Sequence, residues 1–297
     1  MKLRNPEVRL EVTSRCNSNC AMCPRDEMTR SQLDMPTYRF KDLVDQCKDM
    51  GAEVVSCFGF GEPLLDKGIF EKVEYVSDCG LKSFITTNAS LLTDRVGKKL
   101  MDAGLKHIRF SVHGLGSTYE RVFPFRFDRI MRNVDNFLSM RNGVRADVTV
   151  IPMHDEPLWK ILKFWTGRVD GVEVWKAHNW ADAMEYRLGV PKKKTCGRPF
   201  NGPLQINADG KMMVCCFDFD AMMTVGDTYK DSVESILLGE GFEEIRHAHR
   251  SGGLEGLPCA DCDQLYNYAE SPLLYSTIDE SREFGKTSTI KYKLEED

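Results

Sequence analysis

The sequence lacks any apolar run of roughly 18 residues, the length that a transmembrane helix needs. Its first residues, MKLRNPEVRLEV, contain no apolar core of the kind that signal peptides carry. An excess of positive charge is also missing: 40 Lys and Arg face 45 Asp and Glu, which leaves a net charge of -5. These absences predict a cytoplasmic protein that binds neither membranes nor nucleic acids.

The sequence also lacks an even set of cysteines, since 11 occur among its 297 residues. Internal repeats and low-complexity tracts are absent as well. A disulfide framework is disfavoured in the reducing compartment that we expect, and the odd count argues in the same direction. Metal binding or redox chemistry is therefore the better explanation of the cysteines.

What the first half of the chain does contain is a regular alternation of short apolar runs and longer amphipathic segments. The predicted strands are residues 8–12, 53–59, 82–87, 106–112, 146–151 and 171–175. The predicted helices are residues 37–50, 68–79, 93–103, 127–141 and 156–166. Six such units in series predict an α/β fold with a parallel sheet, closed as a partial (β/α)6 TIM-like barrel. In such barrels the chemistry lies on the loops that follow the strands.

The pattern changes after about residue 176. Residues 203–216 read as a β-hairpin with its turn at Asn207–Gly210, and residues 232–239 and 241–252 read as helices. The sequence CADC follows at 259–262. We therefore divide the chain into a barrel (1–180), a small second domain (181–270) held by something other than a large core, and a tail (271–297).

Three cysteines with the spacing CxxxCxxC, Cys16, Cys20 and Cys23, directly follow the first predicted strand. A structural zinc ion takes four ligands, and an iron–sulfur cube also has four corners to fill. The loop supplies three thiols. Zinc would need a distant fourth ligand, whereas a cube would keep one iron open to bind and activate another molecule.

This arrangement resembles the radical S-adenosylmethionine (SAM) superfamily. The resemblance implies a [4Fe–4S] cluster whose open iron binds the amino and carboxylate groups of SAM. It also implies that the reduced cluster cleaves SAM to a 5′-deoxyadenosyl radical, which abstracts a hydrogen atom from the substrate.

Three further strand ends carry the same resemblance. Gly61-Glu62-Pro63 is similar to the family's GGEP motif, which holds the SAM amino group, although Phe60 stands where the family often has Gly. Asn88 in TTNA and Ser111 in SVHG match polar residues that the family places near SAM or substrate. Each of the two is equally well read as a polar cap of a strand end.

A second cysteine set, Cys196, Cys215, Cys216 and the closing Cys259 and Cys262, resembles the SPASM/twitch extensions of radical SAM enzymes. No cysteine follows Cys262, which favours the twitch form with one auxiliary [4Fe–4S] cluster. The resemblance implies Cys196, Cys215, Cys259 and Cys262 as ligands, with a structural zinc as the alternative. Neighbours in a strand point to opposite faces, so Cys216 is expected to be a free thiol.

The combined resemblance predicts an oxidoreductase that dehydrogenates a sugar or aminocyclitol and passes one electron to the auxiliary cluster. One alternative is an epimerase in which Cys216 is the catalytic hydrogen donor. Another is a peptide maturase, and a non-enzymatic alternative is a zinc-stabilised binding module. The expected partners are a small-molecule or peptide substrate and an electron donor of the flavodoxin or ferredoxin type.

Overall fold

The computed structural model describes residues 1–154, 156–181, 183–185, 193–266 and 273–276. Its strands are β1 (Glu7–Leu10), β2 (Val54–Ser56), β3 (Lys82–Thr87), β4 (His107–Ser111), β5 (Arg145–Val150), β6 (Gly171–Trp175), β7 (Leu204–Ile206), β8 (Lys211–Met213), β9 (Thr224–Asp227) and β10 (Leu273–Ser276). Its helices are α1 (Thr37–Asp49), α2 (Ile69–Asp78), α3 (Asp94–Asp102), α4 (Ser117–Val122), α5 (Phe127–Met140), α6 (Leu158–Trp165), α7 (Arg198–Asn201), α8 (Val233–Leu238) and α9 (Glu240–Ser251).

The strands of the described residues form one sheet in the order β10-β6-β5-β4-β3-β2-β1-β7-β8-β9. Neighbours from β1 to β6 all pair in parallel, and each connection carries at least one helix. The predicted α/β architecture with a partial six-stranded barrel is therefore confirmed. Two predicted strands, 82–87 and 171–175, have the bounds that the sequence indicated, while β2 is shorter than expected.

The predicted hairpin is present, and its position in the sheet was not foreseen. The amide of Gly210 donates to the carbonyl of Asn207 across the turn, and β7 pairs antiparallel with β8. The first hairpin strand also pairs in parallel with β1, with Val8 opposite Leu204. Ile206 consequently packs into the same apolar core as the barrel strands. The second domain thus shares the barrel's core, contrary to our expectation, and the boundary at 180/181 stays a prediction.

Four of these helices and strands had no counterpart in the sequence prediction, and one of them is the four-residue helix α7. Helix α4 and strand β9 are six and four residues long, too short for an apolar period to stand out. Strand β10 pairs antiparallel with β6 and lies in the predicted tail. The rest of that tail, 277–297, lies outside the described residues.

The two faces of the barrel strands differ in chemistry. Val8 and Leu10 of β1 are fully buried in the core beneath the helices. Side chains alternate along a strand, so Glu7 and Arg9 belong to the opposite, concave face of the partial barrel. Polar side chains therefore occupy the inside of the barrel.

Within the described part of the chain, no helix is both long enough and apolar enough to cross a bilayer.

Candidate iron–sulfur and cofactor sites

The three cysteines of the first motif lie on the loop between β1 and the 3₁₀ turn Pro24–Glu27. This loop is at the carboxyl end of the parallel strands, where the sequence placed it. Burial raises the pKa of Cys20 to about 12 and that of Cys23 to about 11. Both thiols therefore keep their protons at neutral pH until a metal displaces them.

The cysteine loop is fixed to the ends of β2 and β3 by side chains within it. Asn17 accepts a hydrogen bond from the Nδ2 of Asn88 (3.0 Å) and donates one to the hydroxyl of Ser90 (2.9 Å). The Nη1 of Arg25 donates to the carbonyls of Ser14 and Phe60, each at 3.0 Å. The loop is thus held in place by protein contacts.

Gly61 lets the loop after β2 press directly on the cysteine loop. A Cβ at this position would lie 2.1 Å from the carbonyl oxygen of Thr13 and 2.7 Å from that of Arg15. The next amide, of Glu62, donates to the Arg15 carbonyl at 2.9 Å. Both opposing atoms belong to backbone, so neither can move aside at small cost, and glycine is required here.

Replacing Gly61 with alanine is therefore expected to lower the free energy of unfolding by about 3 kcal/mol and to reduce loading of the first cluster. The matched control is Gly253→Ala, whose Cβ would meet nothing closer than 3.5 Å, and its effect should stay within about 0.5 kcal/mol. Urea unfolding and iron analysis measure both effects. Equal effects of the two substitutions would contradict this account.

The carboxylate of Glu62 is buried and already accepts three hydrogen bonds. They come from the Thr87 hydroxyl (2.7 Å), the Asn88 amide (2.8 Å) and the Leu64 amide (3.1 Å). Burial raises the pKa of Glu62 to about 7, although these bonds oppose the shift. Glu62 ties the end of β2 to the end of β3, and Pro63 starts the 3₁₀ turn Pro63–Leu65. The assignment of Gly61, Glu62 and Pro63 to SAM stays a prediction.

The raised pKa makes the stability contribution of Glu62 depend on pH. Between about pH 4.5 and 7 the folded protein keeps a proton that the unfolded chain has lost. Stability from this group therefore falls as pH rises through that window, by on the order of 3 kcal/mol. Glu62→Gln removes the titration, so the stability of the natural protein relative to the variant should decline from about pH 5 to 7. Urea unfolding of cluster-free protein tests this, and a pH-independent difference would refute it.

Asn88 directly follows β3, and Ser111 is at the end of the neighbouring strand β4. The Oδ1 of Asn88 accepts from the amide of Ser90 (2.9 Å), in addition to the bond to Asn17 described above. Ala89, which follows Asn88, adopts a left-handed φ of +60°. Ser111 is the last residue of β4 and lies opposite Thr149 in register. Among described contacts, Asn88 reaches the cysteine loop and Ser111 does not.

The concave face holds a row of side chains in which two phenylalanines lie between two arginines. The guanidinium of Arg9 lies 5.1 Å from the ring centre of Phe58, and Phe58 meets Phe84 edge to face at 6.1 Å. The guanidinium of Arg109 lies 4.8 Å from Phe84 and pairs with Glu173 at 3.1 Å. The barrel interior is therefore lined by charge and aromatic surface.

Three buried polar atoms on this face have no hydrogen-bond partner among the described residues: the Nε of Arg109 and the hydroxyls of Thr86 and Thr149. Buried polar groups are normally satisfied, so these atoms are available to a bound polar molecule. The sequence analysis missed them. The sequence did contain a signal for them, namely a polar residue at every second position of the predicted strands. Parallel strands that are covered by apolar side chains on both faces lack such polar residues.

Four cysteines of the second set line a single pocket, together with Arg198 and His249: Cys196, Cys215, Cys259 and Cys262. Burial raises the pKa of Cys259 and of Cys262 to about 12. Among the described residues, no group of three or more Cys, His, Asp or Glu side chains is arranged to hold a single metal ion. Four thiols around one pocket are a donor set that an iron–sulfur cluster takes, and one that zinc takes as well.

Cys216 does not line that pocket. Its Sγ lies 3.4 Å from the Nη1 of Arg9 and 3.2 Å from the Nη1 of Arg198. A hydrogen bond with Cys215 and the charges of Arg198 and Arg9 lower the pKa of Cys216, although burial opposes them. Both cysteines lie beyond the end of β8, which is at Met213. Our premise that they are neighbours within a strand was therefore wrong.

Aromatic side chains join the two cysteine sites. Phe60 packs 5.3 Å from Trp180 and 6.4 Å from Phe219, which explains a bulky residue where the resembled motif has glycine. The indole of Trp180 donates to the carbonyl of Met22, next to Cys23 (2.7 Å). The sequence analysis did not foresee this contact, because no local pattern pairs residue 60 with residue 180.

Comparison with known proteins agrees with this geometry. Residues 10–164 match the model of the radical SAM superfamily, and residues 196–263 match that of an iron–sulfur cluster-binding domain, SPASM. The AdoMet-dependent heme synthase of Methanosarcina barkeri is 32% identical over 158 residues, 52% of this chain and 45% of that protein. A probable GTP 3′,8-cyclase of Methanothermobacter marburgensis is 36% identical over 162 residues, 53% of this chain and 52% of that protein. The chain thus spans about half the length of these relatives.

Two solved structures have a similar fold. BtrN in complex with AdoMet and 2-DOIA superposes with a TM-score of 0.63 at 18% identity, covering 92% of this chain and 100% of that chain. SuiB of Streptococcus suis bound to the precursor peptide SuiA gives 0.70 at 14% identity, covering 88% and 70%. At these identities the similarity establishes the fold alone.

Proposed function

Because this chain belongs to the radical SAM superfamily and carries a C-terminal SPASM iron–sulfur domain, we propose that it dehydrogenates a polar small molecule of the sugar or aminocyclitol type. Its cofactors are SAM, the [4Fe–4S] cluster that binds SAM, and auxiliary iron–sulfur. The proposed net change is the loss of two electrons and two protons from an alcohol, which becomes a ketone.

The donor sets on the chain fit these cofactors. Soft thiolates are the ligands of iron–sulfur clusters, and Cys16, Cys20 and Cys23 would hold the first cluster. Gly61-Glu62-Pro63 and Asn88, which contact the cysteine loop, and Ser111 at the end of β4 would hold SAM. Cys196, Cys215, Cys259 and Cys262 would hold the auxiliary cluster. When bound, the first cluster and SAM supply one-electron chemistry that removes a hydrogen atom from the substrate.

The observation that carries the proposal is the polar concave face. Arg109, Thr86 and Thr149 each present a buried polar atom without a described partner. A hydroxylated molecule both donates and accepts hydrogen bonds and would satisfy all three. The edge-to-face rings of Phe58 and Phe84 offer apolar surface beside them, which suits the carbon skeleton of a cyclic polyol. BtrN, whose structure holds AdoMet and 2-DOIA, has the same fold, and this chain covers all of it.

Oxidation also needs an acceptor for the second electron. One electron leaves with the hydrogen atom, and one proton and one electron remain to be removed. A site with four cysteines leaves no iron open, so electron transfer suits it better than ligand activation. The position of Arg198 at this pocket favours the same role, because its positive charge stabilises added negative charge.

The epimerase alternative requires Cys216 to donate a hydrogen atom. Two guanidinium groups donate to its Sγ from 3.4 and 3.2 Å, and both contacts favour the thiolate, which has no hydrogen to give. This weighs against Cys216 as a catalytic donor. The peptide alternative has support from SuiB, which has a similar fold and is bound to a precursor peptide.

Product analysis tests the proposal. Reduced, reconstituted enzyme is incubated with SAM in deuterated water with a panel of sugars, cyclitols and aminocyclitols. A ketone two mass units lighter than its substrate is the expected product. A stereoinverted product carrying one solvent deuterium would replace the proposal with the epimerase. Turnover of peptides alone would replace it with the maturase.

A matched pair of variants tests the concave face. Thr149→Val should raise the KM for the substrate by up to about tenfold, because one hydrogen bond to it is lost. Ser83→Ala is the control, since Ser83 is also buried and unpartnered among described residues but lies on the opposite face of β3, beside Ile85. Equal KM values for both variants would remove the concave face from substrate binding.

The proposed setting is a reducing cytoplasm with a flavodoxin or ferredoxin as electron donor. All 11 cysteines lie within the described ranges and none forms a disulfide, which fits that compartment.

A further inference from the structure

His249 has the features of a group built to face the auxiliary cluster. It lies on α9, is only 1% exposed, and lines the pocket of the four cysteines. Its Nδ1 is 2.9 Å from the hydroxyl of Thr195. Its Nε2 is buried and has no partner among the described residues. An orphaned polar atom in a pocket lined by thiols calls for a partner that only the occupant of the pocket can provide.

The contact with Thr195 indicates which ring nitrogen carries the proton. The Thr195 hydroxyl already accepts a hydrogen bond from the amide of Gly197 at 2.9 Å. The Thr195 hydroxyl can therefore donate its own hydrogen to the Nδ1 of His249. In a neutral imidazole this leaves the hydrogen on Nε2, so the unpartnered atom is a donor.

We propose that the Nε2–H of His249 donates a hydrogen bond to a sulfur atom of the auxiliary cluster and raises its reduction potential. Reduction adds negative charge to the cluster, and a donor aimed at sulfur stabilises the reduced form more than the oxidised form. This deepens the proposed function and rests on ligation of that cluster by the four pocket cysteines. A higher potential makes the cluster a better acceptor for the second substrate electron.

A second histidine on α9 provides the control for substitutions of His249. His247 lies two residues earlier on α9 and lines a different, acidic surface groove with Glu240 and Glu243. Residues two apart on a helix face different directions. His247→Phe therefore removes an imidazole from the same helix without touching the cysteine pocket.

The experiment is a redox titration of the reconstituted holoenzyme, followed by electron paramagnetic resonance of both clusters. His249→Phe should shift the one-electron equilibrium of the auxiliary cluster at least tenfold toward the oxidised form, a fall of about 59 mV. His249→Gln keeps an N–H donor and should restore part of the shift. His247→Phe should leave the potential unchanged, and the first cluster serves as internal reference in every sample.

Three outcomes would overturn the proposal. An unchanged potential in His249→Phe would exclude the hydrogen bond. Strong nitrogen hyperfine coupling in the natural enzyme, or loss of the auxiliary cluster in both His249 variants, would identify the imidazole as a ligand. Failure of the His249 proposal can be distinguished from failure of the proposed function. Potentials are measured without substrate, and Cys259→Ala tests the cluster's ligation independently.

Discussion

Replacing Cys20 with alanine is expected to abolish reductive cleavage of SAM while the auxiliary cluster stays in place. The first cluster has three protein ligands in this proposal, and losing one leaves a site of two thiols that cannot hold a cube. Iron and sulfide per chain should fall to about half. Anaerobic reconstitution, iron analysis and quantification of 5′-deoxyadenosine measure both effects.

The reciprocal variant and a matched control complete this test. Cys259→Ala should lose the auxiliary cluster and still cleave SAM. Cys79→Ala should retain both clusters, because Cys79 is a partly buried thiol at the end of α2, away from either site. SAM cleavage that survives in Cys20→Ala, or reconstitution that yields only bound zinc, would refute the assignment of the first motif.

Replacing Glu11 with glutamine is expected to destabilise the protein by about 3–5 kcal/mol. Its fully buried carboxylate accepts hydrogen bonds from both Nη atoms of Arg30, at 2.7 and 2.6 Å. It also accepts from the amides of Phe60 (2.9 Å) and Ala208 (3.0 Å). The substitution removes the buried carboxylate that pairs with Arg30, and turns an N–H group toward other N–H groups. It also loosens the hairpin from the barrel, so cluster loading should fall as well.

The control for this prediction is the same chemical change at an exposed ion pair. Glu71 pairs with Lys41 at 2.8 Å and its side chain is 58% exposed. Water screens this pair, so Glu71→Gln should cost no more than about 1 kcal/mol. Urea unfolding of cluster-free protein compares the two variants. Similar losses in both would mean that Glu11 does not fasten the hairpin to the barrel.

Sequence reasoning succeeded where the signal was local. The predicted strand 82–87 became β3 with the same limits, and the turn predicted at Asn207–Gly210 joins the two strands of the hairpin. The spacing of Cys16, Cys20 and Cys23 needs no tertiary information, since all three thiols lie on one loop. Alternation, turn chemistry and short spacings act over a few residues, so they can be read along the chain.

Sequence reasoning failed where residues that are far apart in the chain come into contact. No local pattern singled out His249, yet it lines a pocket together with cysteines from three other segments of the chain. Phe60 looked like a departure from a motif, and its partner is Trp180. Cys215 lines that pocket, whereas Cys216 contacts two arginines, Arg9 and Arg198, and neither fact can be read from two adjacent cysteines.

By itself, the sequence determined the alternating strands and helices, the three-thiol loop and the closing cysteine pair, since each depends on residues that are close together. Only the tertiary structure decided that β7 continues the barrel sheet beside β1, which side chains face the concave interior, and which imidazole lines the second pocket. Strand order and register depend on packing between distant segments, and that packing fixes the direction of every side chain at once.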